Sequence, residues 1–191
     1  MNNLHQQGIS LQGFVIDHHV YPLLRDMDRP KGEPIKTWIE ALGGDRSASA
    51  GIWRCPSAQF PPDRPASSYA YNVWGSYFVK WTDLGLGGHH IPVLGTHESL
   101  APAIGESEVV IPGDMMAIGD SFSGGDVFER HVADDAEWNR QAASRHQGIA
   151  DVSFCDGHVE SVTLNLLFRN TSDTALVRWN CDHQPHREQL P

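Results

Sequence analysis

Small and apolar residues recur at helical spacing only at the start of the chain. Leu4, Gly8, Leu11 and Val15 fall on one stripe within residues 2 to about 19, with Phe14 beside them and Gln, Ser and Asp elsewhere. The stripe predicts an amphipathic helix that ends before Tyr21-Pro22, since proline disfavours helical backbone in the residue ahead of it. A second, short helix is predicted over 34–42, with Gly43-Gly44 as its C-terminal cap.

Past Gly44 the helical period is lost. Pro56, Pro61, Pro62 and Pro65 make residues 54–68 mostly loop. Residues 69–81 are aromatic and β-branched, which suits a strand or hairpin. Another excursion broken by Gly and Pro runs over 85–105 and holds His89, His90 and His97. Residues 115–118 read as a buried strand ending at Gly119-Asp120. Residues 150–154 and 158–164 read as two strands joined by a tight Asp156-Gly157 turn. A last strand or short helix is expected over 175–179, ahead of a polar tail. With no internal repeat and no second domain evident, the chain reads as a single unit over 1–191. One helix followed by irregular antiparallel strands is an α+β pattern. Loops of this length call for a staple besides the core, such as a metal or a disulfide.

Composition narrows the function. Of 191 residues, 40% are hydrophobic and 20% charged, enough apolar material for a buried core. A formal net charge of -10 repels phosphate backbones and anionic headgroups, so nucleic acid is not an expected partner, whereas divalent cations are favoured. No apolar run approaches the ~20 residues that span a bilayer, and Met1-Asn2-Asn3-Leu4-His5-Gln6 does not read as a signal peptide. Three cysteines permit one disulfide and leave a thiol over.

Arg145-His146 through Asp156-Gly157-His158-Val159-Glu160 spells the pattern H-x9-DG. It resembles the C-terminal signature of bacterial pseudopilin-like proteins of the type II secretion class. The likeness extends in order along the chain. Asn2-Asn3-Leu4 through Gly8 is similar to the segment that follows the membrane-spanning half of their long helix, and Tyr21-Pro22 to the point where the chain leaves it. Cys55-Pro56-Ser57 and Ser68-Tyr69-Ala70-Tyr71-Asn72 resemble their middle blocks. Arg178-Trp179-Asn180 with Asp182 and Pro185-His186 resembles their last block.

This resemblance implies a pilin-like head, an N-terminal helix packed on an antiparallel sheet with long loops. Residues 1–20 would be the remnant of a longer helix and 21–191 the sheet and loops. It implies a periplasmic or cell-envelope location, contact with the membrane only through a helix ahead of Asn2, and other pseudopilin subunits or secretion components as partners. It also implies a stabilising Ca²⁺, with Asp120, Asp156 and Asp182 as ligands and Asp126, Asp134, Asp135 and Asp151 in reserve. Calcium takes several loop oxygens, although no EF-hand spacing is present. His89, His90, His97 and Glu98 match no zinc spacing and read as a polar loop. Cys155 and Cys181 each precede an aspartate of a family block, so a disulfide between them is expected if the blocks meet. It would close about 25 residues and contribute roughly 3 kcal/mol, leaving Cys55 single.

A second class of function stands beside the first. Ala117-Ile118-Gly119-Asp120-Ser121-Phe122-Ser123-Gly124-Gly125 resembles the nucleophile block of GDSL-type hydrolases. Ser121 would then be the nucleophile, with His158 and Asp156 as base and orienting acid. A metal-dependent ester or lactone hydrolase is the stronger form of this alternative. There a cation on Asp120 and Asp156 polarises the carbonyl, and His146 or His158 handles protons.

Overall fold

The computed structural model describes residues 2–26, 33–45, 51–59, 67–76, 83–88, 102–125, 127–128, 130 and 145–190. Helix α1 spans Asn2–His18 and buries Leu4, Gln7, Gly8, Leu11 and Val15, the stripe the sequence predicts. It ends where His19 takes a left-handed φ of 56° while its N–H still bonds Val15 O at 2.7 Å. Strands β1 (Arg25–Asp26) and β2 (Lys36–Thr37) form a small antiparallel ladder. Helix α2, Trp38–Ala41, is shorter than the predicted 34–42. Thr37 starts it with a reciprocal cap: Glu40 Oε2 accepts from Thr37 N–H at 2.8 Å, and Thr37 Oγ1 accepts from Glu40 N–H at 3.4 Å. The predicted glycine cap forms, with Gly43 at φ 87° and Gly43 and Gly44 N–H bonding Glu40 O and Ile39 O.

The main sheet is antiparallel with strand order β3 (Tyr69–Tyr71), β4 (Met116–Asp120), β5 (Ile149–Phe154), β6 (Val159–Thr163). The protein is thus α+β. Beyond β6 the chain does not continue as strand through Leu164. Thr163 Oγ1 accepts from Leu166 N–H at 3.3 Å and starts α3, Leu164–Phe168. Helix α4 (Asp173–Leu176) runs into a 3₁₀ turn, Val177–Trp179, so the final predicted element is helical.

Both faces of the sheet are covered. On one lie α1 and the aromatic group of Trp38, Trp53 and Tyr71, with Trp38 stacked on Tyr71 at 5.3 Å. On the other lie Phe122, Phe128, Leu167, Phe168 and Trp179 over Ala150, Val152 and Phe154. Strand periodicity sorts the side chains: Ala70 faces the second core while Tyr69 and Tyr71 face the first. A bulge interrupts this alternation in β4. Met116 pairs with Phe154 but Ile118 with Ser153, so Ala117 is an extra residue. Ala117 and Ile118 consequently both face the first core, and Gly119 turns to Phe128.

Helix α1 crosses the β5–β6 hairpin at Gly8. A Cβ there would stand 2.6 Å from Ser153 Oγ and 3.0 Å from the backbone oxygen of Gly157. Gln12 clamps the same crossing by donating Nε2–H to Cys155 O. Gly13, one turn on, faces open space. Gly8→Val is therefore expected to cost about 1–3 kcal/mol through overpacking. Gly13→Ala is expected to leave stability unchanged or raise it by up to about 1 kcal/mol. Urea unfolding of both variants checks the pair, and equal effects would contradict the crossing.

Candidate functional site

The site grows out of the C-terminal end of β4. The bulge at Ala117 turns Asp120 toward the α1 face, where Tyr69 pairs with it across the sheet. Its carboxylate is fully buried, and so is its partner, the Arg145 guanidinium, at 2.5 Å from Oδ1. Oδ2 accepts from Asp151 N–H at 2.9 Å. Arg145 also donates to Ser68 O at 3.1 Å and to Ser121 O, and its guanidinium lies over the Phe122 ring at 5.2 Å. The ends of β3, β4 and β5 are in this way tied to one ion pair.

Arg145 leads straight into His146. There the backbone makes a left-handed turn, with φ of 47°, 58° and 79° at His146, Gln147 and Gly148. For the two non-glycine residues this costs roughly 1–2 kcal/mol each. The turn brings His146 Nε2 to 3.5 Å from Asp120 Oδ2 and 3.4 Å from Cys55 Sγ. Cys55 and Asp120 are buried, while 27% of the His146 side chain is exposed. The Asp120 carboxylate beside it pushes the His146 pKa up to about 9, against the opposing effect of burial.

The three aspartates expected to hold calcium do not meet. Asp120 closes one end of β4, whereas Asp156 lies at the other, where its N–H bonds Pro112 O at 3.2 Å. The five residues of β4 separate those ends by roughly 13 Å at a strand's rise per residue, too far to share one ion. Asp182 belongs with the Asp156 end, since the preceding Cys181 O accepts from Val110 N–H at 2.9 Å. Among the reserves, Asp151 Oδ1 takes the Ser161 hydroxyl at 2.6 Å. Asp126, Asp134 and Asp135, like His89, His90, His97 and Glu98, lie outside the described residues.

The serine arrangement is not assembled either. Ser121 Oγ donates to Gly125 O at 2.7 Å and accepts from Gly124 N–H at 3.1 Å, which locks it into a turn. His158 sits at the hairpin instead, with Nδ1 2.6 Å from Asp156 Oδ1 and its ring stacked on Phe154 at 4.4 Å. Asp120 and Asp156, at opposite ends of β4, cannot jointly hold a catalytic cation.

The expected Cys155–Cys181 disulfide is absent, as all three cysteines are free and buried. Cys155 is hydrogen-bonded with the Tyr21 side chain, and Cys181 Sγ donates to Asp83 O at 3.4 Å. Burial pushes the Cys155 thiol well above its ordinary range and the Cys181 thiol up to about 11, so both stay protonated and unreactive. Sequence reasoning missed Arg145 and Cys55 as site residues. The available signals were a cation directly ahead of the motif histidine and a cysteine in a block already singled out. Comparison of the chain with protein-family models, curated proteins and solved structures finds no match in any of the three.

Two outcomes are expected. Arg145→Met leaves the Asp120 carboxylate buried without its main counter-charge, and should cost about 3–5 kcal/mol in chemical denaturation. For His146, the folded pKa of about 9 lies above the ordinary 6.5, so the imidazolium stabilises the fold fully below pH 6.5 and ceases to as pH rises through 9. In chelator-treated protein the melting temperature should fall between pH 7 and 10, and His146→Gln should flatten that fall.

Proposed function

We propose that this chain is the head of a pseudopilin-like subunit of a type II secretion or type IV pilus-like system. It would stand on the periplasmic side of the envelope and pack against other pseudopilin subunits or secretion components. The observation that carries this reading is that α1 buries one face and exposes two isoleucines on the other. Its inner face covers the sheet. On the opposite side Ile9 and Ile16, two turns apart, are 57% and 66% exposed. A helix that is a core element and also presents isoleucines outward suits a subunit whose helix packs against its neighbours.

The chemistry of the signature residues supports the same reading. Both ends of the H-x9-DG motif brace β5: His146 follows the Arg145–Asp120 pair at its start, and the Asp156-Gly157 turn lies under Gly8 at its end. Blocks distant in sequence are stitched together as well. Asn72 Nδ2 donates to Met116 O at 2.8 Å and to Trp179 O at 2.9 Å, and Asn180 Oδ1 accepts from Ser76 N–H at 2.8 Å. These residues fix a shape rather than expose a nucleophile.

The test is site-directed cross-linking in bacterial cells that express this chain with Ile9→Cys or Ile16→Cys. The native cysteines are buried, so the introduced thiol reacts alone. Cross-links to a second copy or to a pseudopilin identified by mass spectrometry are expected. Ile9→Asp with Ile16→Asp should abolish them without lowering the melting temperature. Only monomer under all conditions would overturn the reading.

Calcium enters this reading as a stabilising ion at the Asp156 and Asp182 end, where the two carboxylates are 44% and 41% exposed. Millimolar Ca²⁺ added to chelator-stripped protein should then raise the melting temperature with concentration, and Asp182→Asn should remove the rise. An unmoved melting curve removes the ion from the reading.

A further inference from the structure

We infer that Cys55, Asp120 and His146 form a binding site for one transition-metal ion, Zn²⁺ by its donor set. This goes beyond the subunit reading and does not depend on it. Among the described residues these three converge, with one ligand atom of each lying within 4.8 Å of the others.

The distances match the edges of a metal site. A tetrahedral Zn²⁺ with Zn–S of ~2.3 Å and Zn–N and Zn–O of ~2.0 Å sets its ligands about 3.3–3.6 Å apart. The observed edges are 3.4 Å from Cys55 Sγ to His146 Nε2 and 3.5 Å from that nitrogen to Asp120 Oδ2. A direct ion pair would instead draw N–H and carboxylate to about 2.7–2.9 Å. Arg145 Nη2 does come that close to Asp120, at 2.5 Å, so the carboxylate is not kept from its partners by packing.

The nitrogen involved is equally telling. Cys55 and Asp120 both face Nε2 of His146. One ring nitrogen holds at most one proton and cannot point it at two partners. A nucleophile–base–acid relay needs the thiol on one nitrogen and the carboxylate on the other. A shared ion serves both ligands at once.

The surroundings fit a cation of this class. A thiolate with an imidazole selects zinc over calcium or magnesium, which take oxygen donors. Cys55 and Asp120 supply two negative charges to balance Zn²⁺. The Arg145 charge is engaged on Oδ1, away from the oxygen that faces the histidine, and with Asp151 N–H it fixes the plane of the carboxylate. The left-handed backbone at His146 sets the imidazole beside Cys55 from the far end of the sequence. The fourth tetrahedral position is left to water.

The experiment uses the full chain, stripped with chelator and titrated with Zn²⁺ against a chromophoric competitor and, separately, with Co²⁺. One ion per chain is expected. Cobalt should give tetrahedral visible bands with a near-ultraviolet thiolate charge-transfer band. Cys55→Ser should remove the charge-transfer band and His146→Gln should weaken binding at least tenfold, whereas Cys181→Ser should keep both. Melting curves in chelator establish that each variant is folded, and the half-buried His146→Gln serves if Cys55→Ser does not fold. Absence of the charge-transfer band in wild-type protein, or its survival in Cys55→Ser, overturns the site. Neither outcome touches the cross-linking result, so the two proposals fail separately.

Discussion

A single buried ion pair holds the sheet together at one end. Taking a carboxylate and a guanidinium out of water costs several kcal/mol per charge unless their remaining donors and acceptors are met. Here they largely are. Asp120 engages Arg145 and the Asp151 backbone, and Arg145 engages Asp120, Ser68 O and Ser121 O, leaving only its Nε without a partner. Between them these contacts reach the start of β3, the end of β4 and the first half of β5. The pair is therefore less a source of net stability than a device that admits one arrangement of β3, β4 and β5. A shifted register would strand a charge in the core.

At the opposite end the constraint is steric. Gly8 lets the α1 backbone approach the β5–β6 hairpin, and Gln12 ties the contact to Cys155 O. Strand β5 is thus held by charge where it begins and by close packing where it ends. Between these anchors Ala150, Val152 and Phe154 face the second core, and the residues that alternate with them face the other side of the sheet.

Much of this was legible in the sequence where local rules are strong. The apolar stripe of α1, the Asp156-Gly157 turn and the strand ending at Asp120 each carry a periodicity or a turn residue. Helix α3 was not legible, because Leu164–Phe168 is a short apolar run that reads as strand until Thr163 caps its first turn. Helix α2 departs from the expected 34–42 for a similar reason, as the Thr37–Glu40 cap decides its start rather than Pro34. The metal-ligand set was harder still. Cys55, Asp120 and His146 are scattered over 92 residues of chain, and spacing rules describe only ligands that are neighbours in sequence. Asp156 and Asp182, set in motif blocks, point instead to the other end of β4.

The bulge at Ala117 has an evolutionary corollary. It makes the length of β4 a matter of parity. Five residues in strict alternation from Met116 would point Asp120 at the phenylalanines of the second core, away from Arg145 and His146, whereas a strand one residue shorter would keep Asp120 on its present face without a bulge. Side-chain exchanges at Ala117 or Ile118 only alter packing, and loss of Ala117 itself keeps Asp120 on its face; flattening the bulge at constant length would dismantle the charge pair and the cysteine–histidine site together. This segment should therefore drift readily in composition among descendants, while any change in its length is matched by loss or gain of the bulge.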